Sequence, residues 1–117
     1  MVYSNATEYY GWKTKEEADN RDPKGMHFPG LSEEAANFLV HDRGIVGAGI
    51  DAISIDVGNA TSYYPAHNIL LKNNVWVLEN VGVKLSTLPP YGFFIIAMPY
   101  KIKNGTGAPT RTIAVLG

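Results

Sequence analysis

Apolar and polar positions change period several times along the chain, and each change marks an element. Leu31, Ala35, Phe38 and Leu39 recur at helical spacing. Ser32 stands where an N-cap is needed, and Glu33 and Glu34 follow in a first turn whose dipole favours acids. Gly44, just after Arg43, suits the left-handed residue that ends a helix. The spacing predicts a helix over 32–43. Ile45 to Asp56 (IVGAGIDAISID) is apolar enough to read as a buried strand. Pro65 suits the first turn of a short helix from Ala66 to about Lys72, which Asn73-Asn74 ends. Val75 to Leu78 predicts a short buried strand with Glu79 at its end. Pro89-Pro90 stops a turn over residues 80–88. Tyr91 to Pro99 is the strongest strand pattern, a glycine-containing loop from Lys103 to Pro109 follows, and Thr110 to Leu116 reads as a closing strand. The order α-β-α-β-β-β predicts an α/β fold: a mixed β-sheet with helices on its outside.

Residues 1–26 show no such period. They read as an irregular N-terminal segment, with Tyr3, Tyr9, Tyr10 and Trp12 available for core or interface packing. The chain of 117 residues fits a single domain with a reasonable core. Hydrophobic residues at 45% and charged residues at 18% match a folded protein and not a disordered one. A net charge of −1, with Lys and Arg scattered, excludes the basic stripe that a nucleic-acid partner requires. No apolar run reaches membrane-spanning length, and the N-terminus lacks the pattern of a signal peptide. With no cysteine there is neither disulfide nor thiolate chemistry, which favours a cytoplasmic location. Sequons at Asn5, Asn59 and Asn104 keep a secreted form as the competing expectation.

The residues able to carry chemistry are few. His41 falls in the last turn of the first helix and reads as solvated. His27 precedes a Phe-Pro-Gly turn and reads as loop packing. His67 opens the second helix beside a loop at the sheet's end, where sites form. Glu79 ends an apolar strand, where a carboxylate needs a backbone N–H, a lysine or a metal. Asp51, Ser54 and Asp56 also stand near a strand end, but alternation puts Asp51 on the face opposite Ser54 and Asp56. No Gly-x-Ser-x-Gly elbow and no phosphate-binding loop is present. A hydrolase built from these residues needs a metal, and two ligands are fewer than the three a metal site requires.

Several motifs nevertheless stand in the order of a known family. They are His27-Phe-Pro-Gly-Leu-Ser32, Gly49-Ile-Asp51 with Ser54 and Asp56, and Pro65-Ala-His67 followed twelve residues on by Glu79-Asn80. Leu88-Pro-Pro90, Met98-Pro99-x-Lys101 and Gly105-Thr-Gly-x-Pro109-Thr-Arg111 complete the series. From His27 onward the chain resembles the cyclase family of metal-dependent hydrolases, which includes bacterial-type kynurenine formamidase and isatin hydrolase. The resemblance implies a swivelling β/β/α fold, present here as an incomplete, C-terminal half over residues 27–117. The family's His-x-Gly-Thr-His-x-Asp-x-Pro metal motif has no counterpart in this sequence.

The resemblance further implies that His67 and Glu79 are catalytic metal ligands, with Zn²⁺ or Mn²⁺ as the divalent cofactor. It implies hydrolysis of a C–N bond other than a peptide bond in a small aromatic amide, either N-formylkynurenine in tryptophan catabolism or a cyclic amide. It implies a homo-oligomer, a homodimer by the family's habit, and no nucleic-acid or membrane partner. With two ligands the chain alone is expected to be inactive. The competing reading is a non-catalytic truncated isoform acting as a dimerisation or binding module.

Overall fold

The computed structural model of the protein describes residues 15–16, 26–60 and 62–117. Tyr3, Tyr9, Tyr10, Trp12 and the Asn5 sequon lie outside them. The chain divides into two compact units, Met1–Ser86 and Thr87–Gly117.

The helix expected over 32–43 has the ends expected of it. In α1 (Glu33–Asn37) the extended Ser32 accepts the Ala35 N–H on its hydroxyl at 3.1 Å. The Glu34 carboxyl is held below its ordinary value, first by its own backbone N–H and then by Ser32. The helix continues as one wider turn, Phe38–Asp42, in which the Arg43 N–H reaches Phe38 O. Gly44 at φ 58° then closes it, with its N–H on Val40 O and the next N–H, from Ile45, on Leu39 O.

The following segment departs from expectation. Only β1 (Gly47–Gly49) is a strand, where an unbroken strand over 45–56 was predicted. It pairs in parallel with β2 (Trp76–Leu78), Gly47 against Trp76 and Gly49 against Leu78. Past Ile50, whose N–H still reaches Leu78 O at 2.9 Å, the backbone groups go elsewhere. Ile55 O accepts from Leu31 N, Ala52 O accepts from Asn80 N, and Ser54 Oγ accepts from Asp56 N at 3.1 Å. A hydroxyl that captures an N–H two residues on competes with a strand ladder, and here it prevails. The segment stays buried all the same, with Ile50 and Ile55 at 0% exposure. Its hydrophobicity reports the core, not a strand.

Between the paired strands runs α2 (Pro65–Lys72), with Pro65 in its first turn and Asn73 after its last. Asn74 at φ 57° turns the chain, and the Val75 N–H returns to Leu70 O. Phe28, Ala36, Ile50, Ala52, Ile55, Ala66, Leu70 and Val75 form one core. Residues Val83–Thr87 make a short 3₁₀ turn where a turn was expected.

The second unit is an antiparallel hairpin of β3 (Phe93–Pro99) and β4 (Thr110–Leu116), paired from Phe93 with Leu116 to Pro99 with Thr110. The Tyr100 N–H bonds Pro109 O, and Asn104 at φ 60° sits in the connecting loop. The α/β class therefore holds. Parallel and antiparallel pairings are both present, but among the described residues they fall into two separate two-stranded sheets and not one.

One close approach pins the loop that carries Asp56. A Cβ at Gly30 would lie 2.3 Å from Asp56 C and 2.5 Å from Val57 N, both backbone atoms that cannot swing aside. Gly30→Ala is expected to cost about 2 kcal/mol, the scale of an overpacked core. Urea unfolding of the two proteins measures this, and equal midpoints would show that the contact yields freely.

Candidate functional site

The structure brings His67 and Glu79 together, and it adds a third residue between them and the core. Asp56 is 1% exposed. Its Oδ1 accepts the Ala66 N–H at 2.8 Å, and its Oδ2 accepts the His67 N–H at 3.2 Å. The same Oδ2 lies 2.6 Å from His67 Nδ1. These donors sit in the first turn of α2, where amides lack partners within the helix. Tyr64, the residue at the cap position, makes no capping bond of its own. A carboxylate from ten residues upstream takes that role.

Across the ring, His67 Nε2 stands 3.3 Å from Glu79 Oε1. Glu79 Oε1 also accepts the Ile55 N–H at 2.9 Å. The backbone N–H foreseen as one way of satisfying this acid is therefore in place. Glu79 is 30% exposed, so the burial expected of it at a strand's end is only partial. Asn80 at φ 53° sends its N–H to Ala52 O, which fixes the chain just past Glu79.

Two neighbouring residues of one buried loop thus hold both candidate side chains. Ile55 holds Glu79 through its amide, and Asp56 holds His67 through its carboxylate. The imidazole is 33% exposed and lies in line between two carboxylates.

The sequence pattern placed Asp56 on a strand face and gave it no partner, so its part went unseen. A signal was present nonetheless: the short Ser54-x-Asp56 run at the end of an apolar stretch, ahead of a Pro-Ala-His helix start with no capping side chain. Asp51, at 3% exposure, is buried and has an interaction of its own. His27 and His41 are both exposed, and neither joins the site.

The approach to His67 carries two tyrosines. Tyr64 meets the His67 ring edge-on, with centroids 6.3 Å apart at 84°. The Tyr63 hydroxyl donates to Glu33 Oε2 at 3.3 Å, tying the loop before α2 to the start of α1.

As a cation site the pair is right in kind and short in number. Two ligands about 2.1 Å from a zinc-sized ion at a near-tetrahedral angle stand about 3.4 Å apart, close to the 3.3 Å between Nε2 and Oε1. Among the described residues no group of three His, Cys, Asp or Glu side chains gathers at one point.

The α/β fold has counterparts among known proteins. The model of the family described as putative cyclase matches residues 5–57. An isatin hydrolase of Roseibium aggregatum is 38% identical over 100 residues, covering 83% of this chain and 37% of that protein. A kynurenine formamidase of Salinibacter ruber is 39% identical over 72 residues, covering 62% of this chain and 32% of its own length. The solved structure of isatin hydrolase A from Labrenzia aggregata, bound to benzyl benzoate, superposes with a TM-score of 0.76. It is 36% identical, covering 94% of this chain and 43% of that one. The chain belongs to the cyclase family, and it spans less than half the length of these relatives. No helix among the described residues is long and apolar enough to cross a membrane.

The tyrosine tie gives a pH-dependent test. The negative charge of Glu33 is the main cause that raises the Tyr63 hydroxyl above its ordinary value. The neutral hydroxyl is the favoured form. Its contribution to stability is therefore present below the unfolded-state value and lost as pH rises through the folded-state value. Glu33→Gln is expected to bring the Tyr63 midpoint down toward the ordinary phenol. NMR titration of ring-labelled tyrosine measures the shift, and an unmoved midpoint would assign the rise to another cause.

Proposed function

We propose that the chain carries part of the centre of a metal-dependent amide hydrolase, with His67 and Glu79 as ligands to Zn²⁺ or Mn²⁺. The observation that supports this is the Asp56–His67–Glu79 line, which turns an imidazole nitrogen and a carboxylate oxygen toward a common point. When bound, such an ion would polarise a carbonyl and lower the pKa of a coordinated water. The protein's own contribution is positional. Asp56 sets the ring, Ile55 sets the carboxylate, and the exposed Tyr64 offers an aromatic edge beside the ring.

The substrate class comes from the relatives, one an isatin hydrolase and the other a kynurenine formamidase. It is a small aromatic amide, either an N-formyl arylamine such as N-formylkynurenine or a cyclic aryl amide. With two ligands among the described residues, the chain by itself is expected to bind metal weakly and to turn over neither substrate. Calorimetry with Zn²⁺ and Mn²⁺ tests the ligand assignment. His67→Ala and Glu79→Ala should each weaken binding tenfold or more, and two variants that bind as the parent does would remove the pair from the site. A formylkynurenine assay on residues 1–117 checks the rest, since robust turnover would refute the need for further ligands.

Self-association is the second part of the proposal, and the hairpin favours it. Phe94, Ile96 and Met98 alternate with the other face of β3, and across the ladder Val115 and Ile113 stand opposite Phe94 and Ile96. All five are exposed, Phe94 at 78%. A two-stranded hairpin is marginal in water without a covered face. A second copy supplies such cover, and a chain acting only as a dimerisation module would use the same surface. Sedimentation of the full chain should show a species larger than the monomer, and Ile96→Glu should shift it to monomer. A parent that sediments as a monomer at all concentrations ends this part.

A further inference from the structure

We propose that Asp56 is the positioning residue of this site: it holds neutral His67 as the Nδ1–H tautomer and so turns the Nε2 lone pair toward Glu79. The consequence for metal rests on reading His67 and Glu79 as ligands, but the tautomer itself does not.

Donors and acceptors decide where the ring proton lies. An ionised carboxylate only accepts, and the three groups that converge on Asp56 are the Ala66 N–H, the His67 N–H and His67 Nδ1. At 2.6 Å the contact from Nδ1 to Oδ2 carries a proton, and because an ionised carboxylate has none to donate, that proton belongs to the ring nitrogen. With Nδ1 protonated, a neutral ring presents a lone pair at Nε2. That nitrogen faces Glu79 Oε1, an oxygen that accepts from Ile55. Two acceptors then stand 3.3 Å apart with no proton between them. This is the arrangement that a cation relieves.

The same carboxylate caps α2, whose own cap residue makes no side-chain bond. The start of the helix and the direction of the imidazole therefore depend on one buried group. An imidazole whose far nitrogen is held by a carboxylate is the usual outer support of a metal-binding histidine.

Asp56→Asn separates this role from mere structural support. An amide oxygen in place of Oδ1 keeps the Ala66 bond, while an NH₂ in place of Oδ2 faces Nδ1 as a donor and gives up the bond from the His67 N–H. The ring must then offer a lone pair at Nδ1 and carry its proton on Nε2, where it donates to Glu79. Shape is conserved, one backbone bond is lost and the tautomer is inverted.

The experiment is long-range ¹H–¹⁵N correlation on the full 117-residue chain labelled at histidine, in buffer alkaline enough to keep the ring neutral. The parent is expected to show Nδ1–H, and Asp56→Asn is expected to show Nε2–H. Zn²⁺ titrated into the same samples should bind roughly tenfold to a hundredfold more weakly to the variant. An Nε2–H ring or a doubly protonated ring in the parent overturns the proposal, whatever the variant does. So does a variant that melts lower but keeps the parent's tautomer, which is what a purely structural Asp56 predicts. If the tautomer inverts while Zn²⁺ perturbs neither protein, the positioning role stands and the metal-ligand reading of His67 and Glu79 falls.

Discussion

A carboxylate that is 1% exposed survives only where hydrogen bonds replace the water it has lost, and Asp56 finds those bonds in a single turn of helix. That constraint runs in both directions. Asp56 is tolerable only if α2 starts at Pro65, because only then do the Ala66 and His67 amides point at it unpartnered. In turn α2 starts cleanly only because Asp56 supplies the cap that Tyr64 does not. The loop around Asp56 is itself pinned. Gly30 lies against its backbone with no room for a methyl group, and Leu31 donates to Ile55 O at 2.8 Å. The site thus inherits its order from the core of the first unit, in which Ile55 is fully buried.

This arrangement explains how His67 and Glu79 can be partly exposed and still well aimed. His67 and Glu79 are each about a third open to solvent, and long side chains at such positions would ordinarily sample several rotamers. Each is instead tied to one of two consecutive residues, Glu79 to the Ile55 amide and His67 to the Asp56 carboxylate. Any shift of the 54–56 loop moves both together and preserves their separation. Two donors carried on one rigid support are better matched than two donors on separate loops.

Much of the fold was legible because the local signals were chemically redundant. Ser32, the paired acids and Gly44 all mark the same helix, and the structure places the cap bond and the left-handed turn at those residues. Thr110–Leu116 is a strand with the bounds expected of the closing strand. The failure at 45–56 has the opposite cause. Hydrophobicity there reports burial alone, and a buried segment can spend its backbone bonds on a ladder, a side chain or a distant loop. The Ser54 hydroxyl and the Glu79 carboxylate claim two of its amides, and neither claim is visible without the fold. Asp56 went unseen for the same reason, since alternation along a strand has no meaning in a segment that is not one. His67 and Glu79 stood out from their places at a helix start and a strand end, and the spacing shared with a known family singled them out. What the structure adds is the group that aims them.

The two units differ in what holds each of them together. The first has a closed core and a site whose ring is bracketed by carboxylates, while the second is a hairpin with an open apolar face. A two-stranded ladder without a covered face gains little against its ordering entropy, whereas the first unit has a core of fully buried side chains. Local stability is uneven in such a chain. The Asp56–His67–Glu79 line belongs to the robust part. Its geometry therefore depends on the packing of Ile50, Ile55 and Leu70. Within that unit, loss of the Asp56 carboxylate would remove the aim of the imidazole with both paired strands still in place.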